Sequence, residues 1–264
     1  MRRRQDHLRS AFCGKEKRKL RGFVEGELNR LNVVEQMDNG VPSKQTEAPV
    51  ILPYEHDREY FIEPIGKVKK KPIYQAIKRL VDIVGSLCAL CVFAIPMLVI
   101  AIIIKVDSKG PVFYCQERLG LNGKPFHCIK FRSMRLDAEC NGAQWSAGDD
   151  DPRITKVGRF IRKYRLDELP QFFLTLSGKM TLVGPRPERA CFYQEFETYI
   201  HGFSQRLKVK PGFTGLAQVS GGYDLRPEEK IVYDMEYIKN RSLWLDVKIL
   251  FRTVKVVLCG ESAK

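Results

Sequence analysis

The chain has 264 residues, of which 45 are Lys or Arg and 31 are Asp or Glu, for a formal net charge of +14. At 44% hydrophobic and 29% charged it can bury a core, which excludes a chain disordered on average. Eight cysteines without a small-domain spacing pattern exclude a disulfide scaffold, and the basic excess calls for an anionic partner: nucleic acid, an acidic membrane surface or phosphorylated substrates.

The first stretch, "MRRRQDHLRSAFCGKEKRKLR", is charged and has no apolar segment, so no cleavable signal peptide is expected. Residues 1–72 read as a basic, loosely ordered extension that can touch anionic lipid. From Ile83 to Ile104 the chain runs 22 residues without a charge. About 20 apolar residues suffice to cross a bilayer, and the run lacks the polar stripe of a core helix. Cys88 and Cys91 form a C-x-x-C inside it, with no second pair to make a zinc site. Basic residues lie on both flanks, among them Lys78 and Arg79 before and Lys105 and Lys109 after. A single span would put one flank outside, against the tendency of positive residues to stay cytoplasmic. A helix over 73–106 that enters, bends at Pro96 and returns keeps both flanks on one face. The backbone groups freed at such a bend need partners, and Ser86 is the candidate to supply one.

Two β-prone runs flank Asn122-Gly123, a strong hairpin signal. "DPRITKVGRFIRKYRLDELPQFFLTLSG" reads as two short helices. "VGPRPE" and "VKPGFTGLAQVSGG" read as loops. Two helices close the chain, roughly 226–239 and 242–258. In the second, Trp244, Val247, Phe251, Val254 and Leu258 recur at helical spacing, with Lys248, Arg252 and Lys255 on another side. The expected role of that apolar stripe is packing on the core, with a membrane surface as the alternative.

Asp167 and Glu168 stand two residues ahead of Pro170. Asp167 as a helix cap and Glu168 in the first turn is one reading. The other is chemical. Six basic residues from Arg153 to Arg165 crowd the approach, and a carboxylate at a helix N-terminus among cations is expected to stay ionised, with a lowered pKa. Such an anion suits a metal ligand or a nucleophile toward phosphorus, and the cations suit the phosphates of a nucleotide. The four histidines are scattered and no nucleotide-cradling glycine motif occurs.

Several stretches, "KRLVDIVGS", "KGPVFYCQERLGLNGKPFHCIKFRSM", "DPRITKVGRFIRKYRLDELPQ", "LVGPRPE" and "VKPGFTGLAQVSG", together resemble the bacterial sugar transferases, the monotopic polyprenol-phosphate phosphoglycosyl transferases, over residues 75–264. The resemblance implies an α+β, mostly helical fold: a re-entrant membrane helix plus a small catalytic domain, residues 107–264, with a β-hairpin, on the cytoplasmic face of the bacterial plasma membrane. It implies transfer of a sugar-1-phosphate from a UDP-sugar to undecaprenyl phosphate, which initiates polysaccharide or glycoconjugate synthesis. The family's dyad falls on Asp167, the implied nucleophile, and Glu168, which would position magnesium or the nucleophile. Both are the implied Mg2+ ligands, and the family's phosphate-binding residues map to Lys130, Arg132, Arg162 and Arg186. The large members' extra transmembrane helices are not seen, which points to the small type. The chain departs from the family at Arg165, usually Ser or Thr, at Lys179 and Thr181, at Leu174, usually Asn, and at Ile95 before the bend proline. The rival expectation is a basic, membrane-tethered binding or scaffold protein without catalysis. Nucleic acid is not the expected partner, because no base-stacking aromatic platform is evident.

Overall fold

The computed structural model describes residues 58–140, 151–221 and 225–259. The basic stretch 1–57 lies outside the described residues; 58–71 do not form a loose arm. Tyr60–Phe61 (β1) pairs in parallel with Ile200–His201 (β5), and the Gln205 side chain accepts from the Ile65 amide at 2.5 Å. The domain therefore starts ahead of the 72/73 boundary read from composition.

Helix α1 spans Pro72–Asp107, 36 residues, with a proline at its first position, where the missing N–H costs nothing. At 1.5 Å per residue a straight helix of this length would be about 54 Å, well beyond a bilayer core. Among the described residues it is the one helix long and apolar enough to cross a membrane. Helical structure continues through Pro96 rather than ending there. Tyr74, Asp82, Ser86, Ile100 and Ile104 are buried, and Leu90, Phe93 and Met97 are partly so, a stripe at three- and four-residue spacing. Leu80, Val84, Leu87, Val92, Ile95, Leu98, Ile102 and Val106 are exposed. An apolar face of that size has no place in water.

Phe113–Leu119 (β2) and Pro125–Phe131 (β3) form the antiparallel hairpin expected around Asn122-Gly123. Asn122 and Gly123 take left-handed φ values of 56° and 71°, which the tight turn requires. Lys156–Lys163 (α2) is capped by Thr155, whose hydroxyl accepts from the Gly158 amide at 2.9 Å. Gln171–Leu176 is α3. Thr181–Val183 (β4) and Gly212–Thr214 (β6) pair in parallel, so the two glycine-rich segments expected to be plain loops contribute strands, and Leu216–Ser220 is a short helix, α5. The glycines serve close approach: a Cβ on Gly212 would stand 2.1 Å from the Gly184 nitrogen.

Ala190–Glu197 (α4), Pro227–Asn240 (α6) and Leu243–Cys259 (α7) complete the fold. The core sits between α4, α6 and a 3₁₀ segment, Phe203–Lys208, where Phe196 meets Phe203 edge-on at 5.2 Å and Tyr193 meets it at 5.3 Å. Such pairs add about 0.5–1.5 kcal/mol beyond area burial. The α7 stripe does not pack there. Trp244 is 77% and Phe251 74% exposed, Val247 and Val254 are exposed too, and Asp246 and Ile249 point inward instead. The buried face of α7 carries an acid, Asp246, to which Tyr74, Lys78 and Tyr237 donate; periodicity of apolar residues alone does not register that.

Candidate active site

The dyad follows α2 through one unusual residue. After the helix ends at Tyr164, Arg165 adopts φ 56°, and the chain drops into a 3₁₀ turn, Leu166–Glu168, before α3. Neither carboxylate caps a helix. The residue ahead of α3 is Pro170, and Asp167 and Glu168 lie in the preceding turn. The cap reading is overturned because the left-handed Arg165 reorients the chain before the proline is reached.

Both carboxylates are buried, Asp167 at 5% and Glu168 at 2% exposure, but their surroundings differ. Glu168 Oε1 receives the Lys130 ammonium at 2.8 Å and the Arg186 guanidinium at 2.6 Å; Arg186 also reaches Oε2 at 3.3 Å, and Arg165 stands 4.0 Å away. Burial would raise the Glu168 carboxyl, yet Arg186, Lys130 and Arg165 outweigh it and hold it well below the usual carboxylate range. Asp167 goes the other way. Burial raises its carboxyl, the adjacent Glu168 charge raises it further, and Lys130, Arg162 and Arg165 only partly offset them. The expectation of a lowered Asp167 pKa is thus corrected: the cations are spent on Glu168, and no ion pair to Asp167 occurs among the described residues.

Of the expected phosphate binders, Lys130 and Arg186 converge on Glu168, and Arg162 acts on Asp167 through its charge. Arg132 does not join them. Its two terminal nitrogens donate to the Lys109 carbonyl at 2.6 Å and to the Ser108 carbonyl at 2.8 Å, so it clasps the end of α1. Ser86 is fully buried and its hydroxyl has no hydrogen-bond partner among the described residues. It does not serve the carbonyl that Pro96 frees, which belongs to Val92, one helical turn before the proline.

Sequence reasoning missed what Lys78, Arg79 and Asp82 do. They are not free flank charges. Asp82 accepts from the Thr181 hydroxyl at 2.8 and 2.9 Å and from the Leu182 amide at 2.8 Å. The Arg79 guanidinium donates to the Thr175 and Leu176 carbonyls, both at 2.7 Å, which satisfies the orphan carbonyls at the end of α3. Lys78 donates to the Val183 carbonyl and to Asp246, both at 2.9 Å. One turn of α1 thereby grips α3, which follows the dyad, and β4, which precedes Arg186. The available signal was an acid in "KRLVD" at the threshold of a chargeless run. The family departure at Thr181 keeps the hydroxyl that Asp82 needs, and Leu174 packs in a small cluster with Phe126, Cys128 and Met180.

A magnesium site was expected on Asp167 and Glu168. Among the described residues no group of three or more His, Cys, Asp or Glu is placed to hold a metal. Magnesium needs no such cage; one or two carboxylates with substrate phosphates suffice. The residues fit it through Asp167, whereas both Glu168 oxygens already face cations.

Comparison with known proteins identifies the family. A family model described as Bacterial sugar transferase matches residues 73–260, and the chain belongs to that family. It is 45% identical over 203 residues to the UDP-N-acetylgalactosamine-undecaprenyl-phosphate N-acetylgalactosaminephosphotransferase of Aeromonas hydrophila, covering 76% of this chain and 48% of the relative. It is 45% identical over 196 residues to the UDP-glucose:undecaprenyl-phosphate glucose-1-phosphate transferase of Klebsiella pneumoniae, covering 72% and 42%. It is 37% identical over 238 residues to the UDP-galactose-lipid carrier transferase of Erwinia amylovora, covering 85% and 48%. The chain spans less than half the length of these curated relatives.

Proposed function

We propose that the protein transfers a sugar-1-phosphate from a UDP-sugar to undecaprenyl phosphate, the first step of polysaccharide or glycoconjugate assembly. The observation that carries the reading is the split dyad: adjacent buried carboxylates, one clasped by Lys130 and Arg186, the other without an ion pair among the described residues. An oxygen of ionised Asp167 attacks the β-phosphorus of the donor. The bond from that phosphorus to the bridging oxygen breaks, and UMP leaves with the oxygen. The sugar phosphate is then held as an acyl phosphate on Asp167. An oxygen of the lipid phosphate attacks the same phosphorus, the carboxylate departs, and the product is the polyprenyl diphosphate sugar.

Glu168 holds Lys130 and Arg186 as a preset cationic pair, and Arg162 adds charge beside Asp167; together they meet the equatorial phosphate oxygens. Magnesium, when bound beside Asp167, offsets charge on the donor phosphates.

The acceptor is a membrane lipid, and α1 supplies the anchor. Its first half is bonded to α3, β4 and α7, while Arg132 clasps the Ser108 and Lys109 carbonyls at its other end. Both ends hold one folded domain, which supports the re-entrant geometry: ends on opposite sides of a bilayer would pull the domain apart. The exposed aromatic face of α7 adds a second membrane contact. Basic residues on both flanks of the apolar run support a domain on the cytoplasmic face of the bacterial plasma membrane.

The test is UMP release by the purified protein, with magnesium and undecaprenyl phosphate, across a panel of UDP-sugars. Release with one donor, and label from that donor trapped on the peptide containing "DELPQ", is the expected result. No release from folded protein across the panel would turn the reading toward a membrane-tethered binding protein.

A further inference from the structure

The segment that presents Arg186 has almost no backbone structure of its own. Between the end of β4 at Val183 and the start of α4 at Ala190, Pro185 and Pro187 remove two donors. Its shape is set from outside, through four consecutive carbonyls. The Gly212 amide donates to Pro185 at 2.8 Å, the Arg206 guanidinium to Arg186 at 2.9 Å, the Arg118 guanidinium to Pro187 at 2.5 Å, and the Leu119 amide to Glu188 at 3.0 Å.

Arg206 is the costly member of this set. Its side chain is 1% exposed and faces the Phe203 ring, 4.9 Å from the ring centre. It pairs with Asp234 at 2.6 Å, and that side chain is 2% exposed. Arg206 Nε and Nη1 have no hydrogen-bond partner among the described residues. Burying two charges costs roughly several kcal/mol per ion, as much as the pair returns, so apolar residues of similar volume commonly hold such a site as well or better. Core stability does not explain the pair. What an apolar substitute cannot reproduce is the bond from Arg206 to the Arg186 carbonyl.

We infer that Arg206 and Asp234 are positioning residues: Asp234 fixes the Arg206 guanidinium, Arg206 fixes the Arg186 backbone, and Arg186 is thereby aimed at Glu168 and the donor phosphates. This rests on the transferase reading above. Displacement of a binding group by about 1 Å can cost a hundredfold in rate.

The experiment compares wild type, Arg206→Lys, and the double variant Arg206→Met/Asp234→Leu by UMP release and by thermal unfolding. Both the Asp234 and the carbonyl contacts come from Nη2 of the Arg206 guanidinium; lysine keeps the charge but lacks the rigid planar group that holds that nitrogen in place. Both variants are expected to show a kcat lowered about tenfold or more and a raised KM for the donor. The double variant is expected to unfold at or above the wild-type temperature. Adding Arg186→Lys to Arg206→Lys is expected to cost little more, because the two act through one group. A folded apolar double variant with wild-type kcat and KM overturns the inference. If that variant does not fold, Arg206→Lys decides: wild-type kcat/KM overturns it. Absence of UMP release by the wild type sinks the transferase reading instead.

Discussion

Arg186 donates to Glu168 at 2.6 Å across a separation of 18 residues, joining the turn after α2 to the segment after β4. The pair explains why two adjacent carboxylates behave oppositely. Glu168 takes the guanidinium of Arg186 and the ammonium of Lys130, and Asp167 is left buried beside an anion.

The two carboxylates therefore have opposite effects on stability. The folded-state pKa of Asp167 is raised, so its contribution to stability is full below the ordinary Asp value and is lost as pH rises through the raised one. At neutral pH its charge is a cost. Asp167→Asn is expected to abolish turnover and to leave the melting temperature unchanged or higher. Glu168 is the reverse: its contribution is present above the ordinary Glu value and lost only as pH falls through the lowered one. Glu168→Gln leaves Lys130 and Arg186 facing each other, and is expected to lower stability by about 3 kcal/mol. Calorimetry of both variants at pH 7 checks the pair of signs; a loss of stability in Asp167→Asn would contradict it.

A pH profile tests the nucleophile separately. In the proposed mechanism Asp167 attacks in its ionised form, so UMP release is expected to rise with pH through its raised pKa. Lys130 is among the charges that hold that pKa down, after burial and Glu168 have pushed it up. Lys130→Met is expected to move the acid limb of kcat/KM to higher pH. A limb that stays in place, or moves to lower pH, would remove Asp167 from that role.

Much of this was legible in the sequence. Asn122-Gly123 marks the hairpin because left-handed φ values are available there at little cost, and the closing helices show in their spacing. The dyad itself stood out as paired acids in a basic run. The split between the acids was not legible, because it depends on Arg186 and Lys130 arriving from distant segments. The destination of Arg132 was hidden for the same reason: nothing near "KFRSM" says that the end of α1 passes beside it. The burial of Asp82 was hidden because an acid before an apolar run reads as a flank.

Arg165 separates local strain from electrostatics. At φ 56° it occupies a conformation that side chains other than Gly, Asn and Asp rarely take, and its charge is the farthest of three from Glu168, at 4.0 Å. Arg165→Ser, toward the family residue, is expected to retain most of the UMP release. A loss of a hundredfold or more would make Arg165 a direct substrate contact.

Asp82 carries the union of anchor and domain. Its carboxylate, 4% exposed, receives the Thr181 hydroxyl and the Leu182 amide. Hydrogen bonds to a buried charge are worth about 1.5–3 kcal/mol each. Asp82→Ala leaves both donors buried without an acceptor and is expected to destabilise by about 3 kcal/mol or more, seen as a lower melting temperature in detergent. Asp82→Asn keeps one acceptor and is expected to fall between. Wild-type stability in the alanine variant would mean that α1 is not braced on β4.

The outward stripe of α7 gives the final test. Trp244 and Phe251 stand exposed, with Lys248 and Lys255 exposed on the same helix, an arrangement suited to the headgroup boundary, where aromatic rings bury and lysines reach anionic lipid. Asp246 fixes the helix from behind, bonded to Lys78 and Tyr74 of α1 at 2.9 Å each, so the stripe starts beside the base of the anchor. The chain has two tryptophans, Trp145 and Trp244, and Trp145→Phe leaves Trp244 as the sole reporter. In vesicles containing phosphatidylglycerol, its emission is expected to shift to the blue and to be quenched by lipids brominated near the headgroup. Phe251→Glu is expected to weaken that quenching while α1 keeps the protein in the membrane. Emission quenched by aqueous iodide, and untouched by brominated lipid, would place the stripe in water and leave α1 as the sole membrane contact proposed.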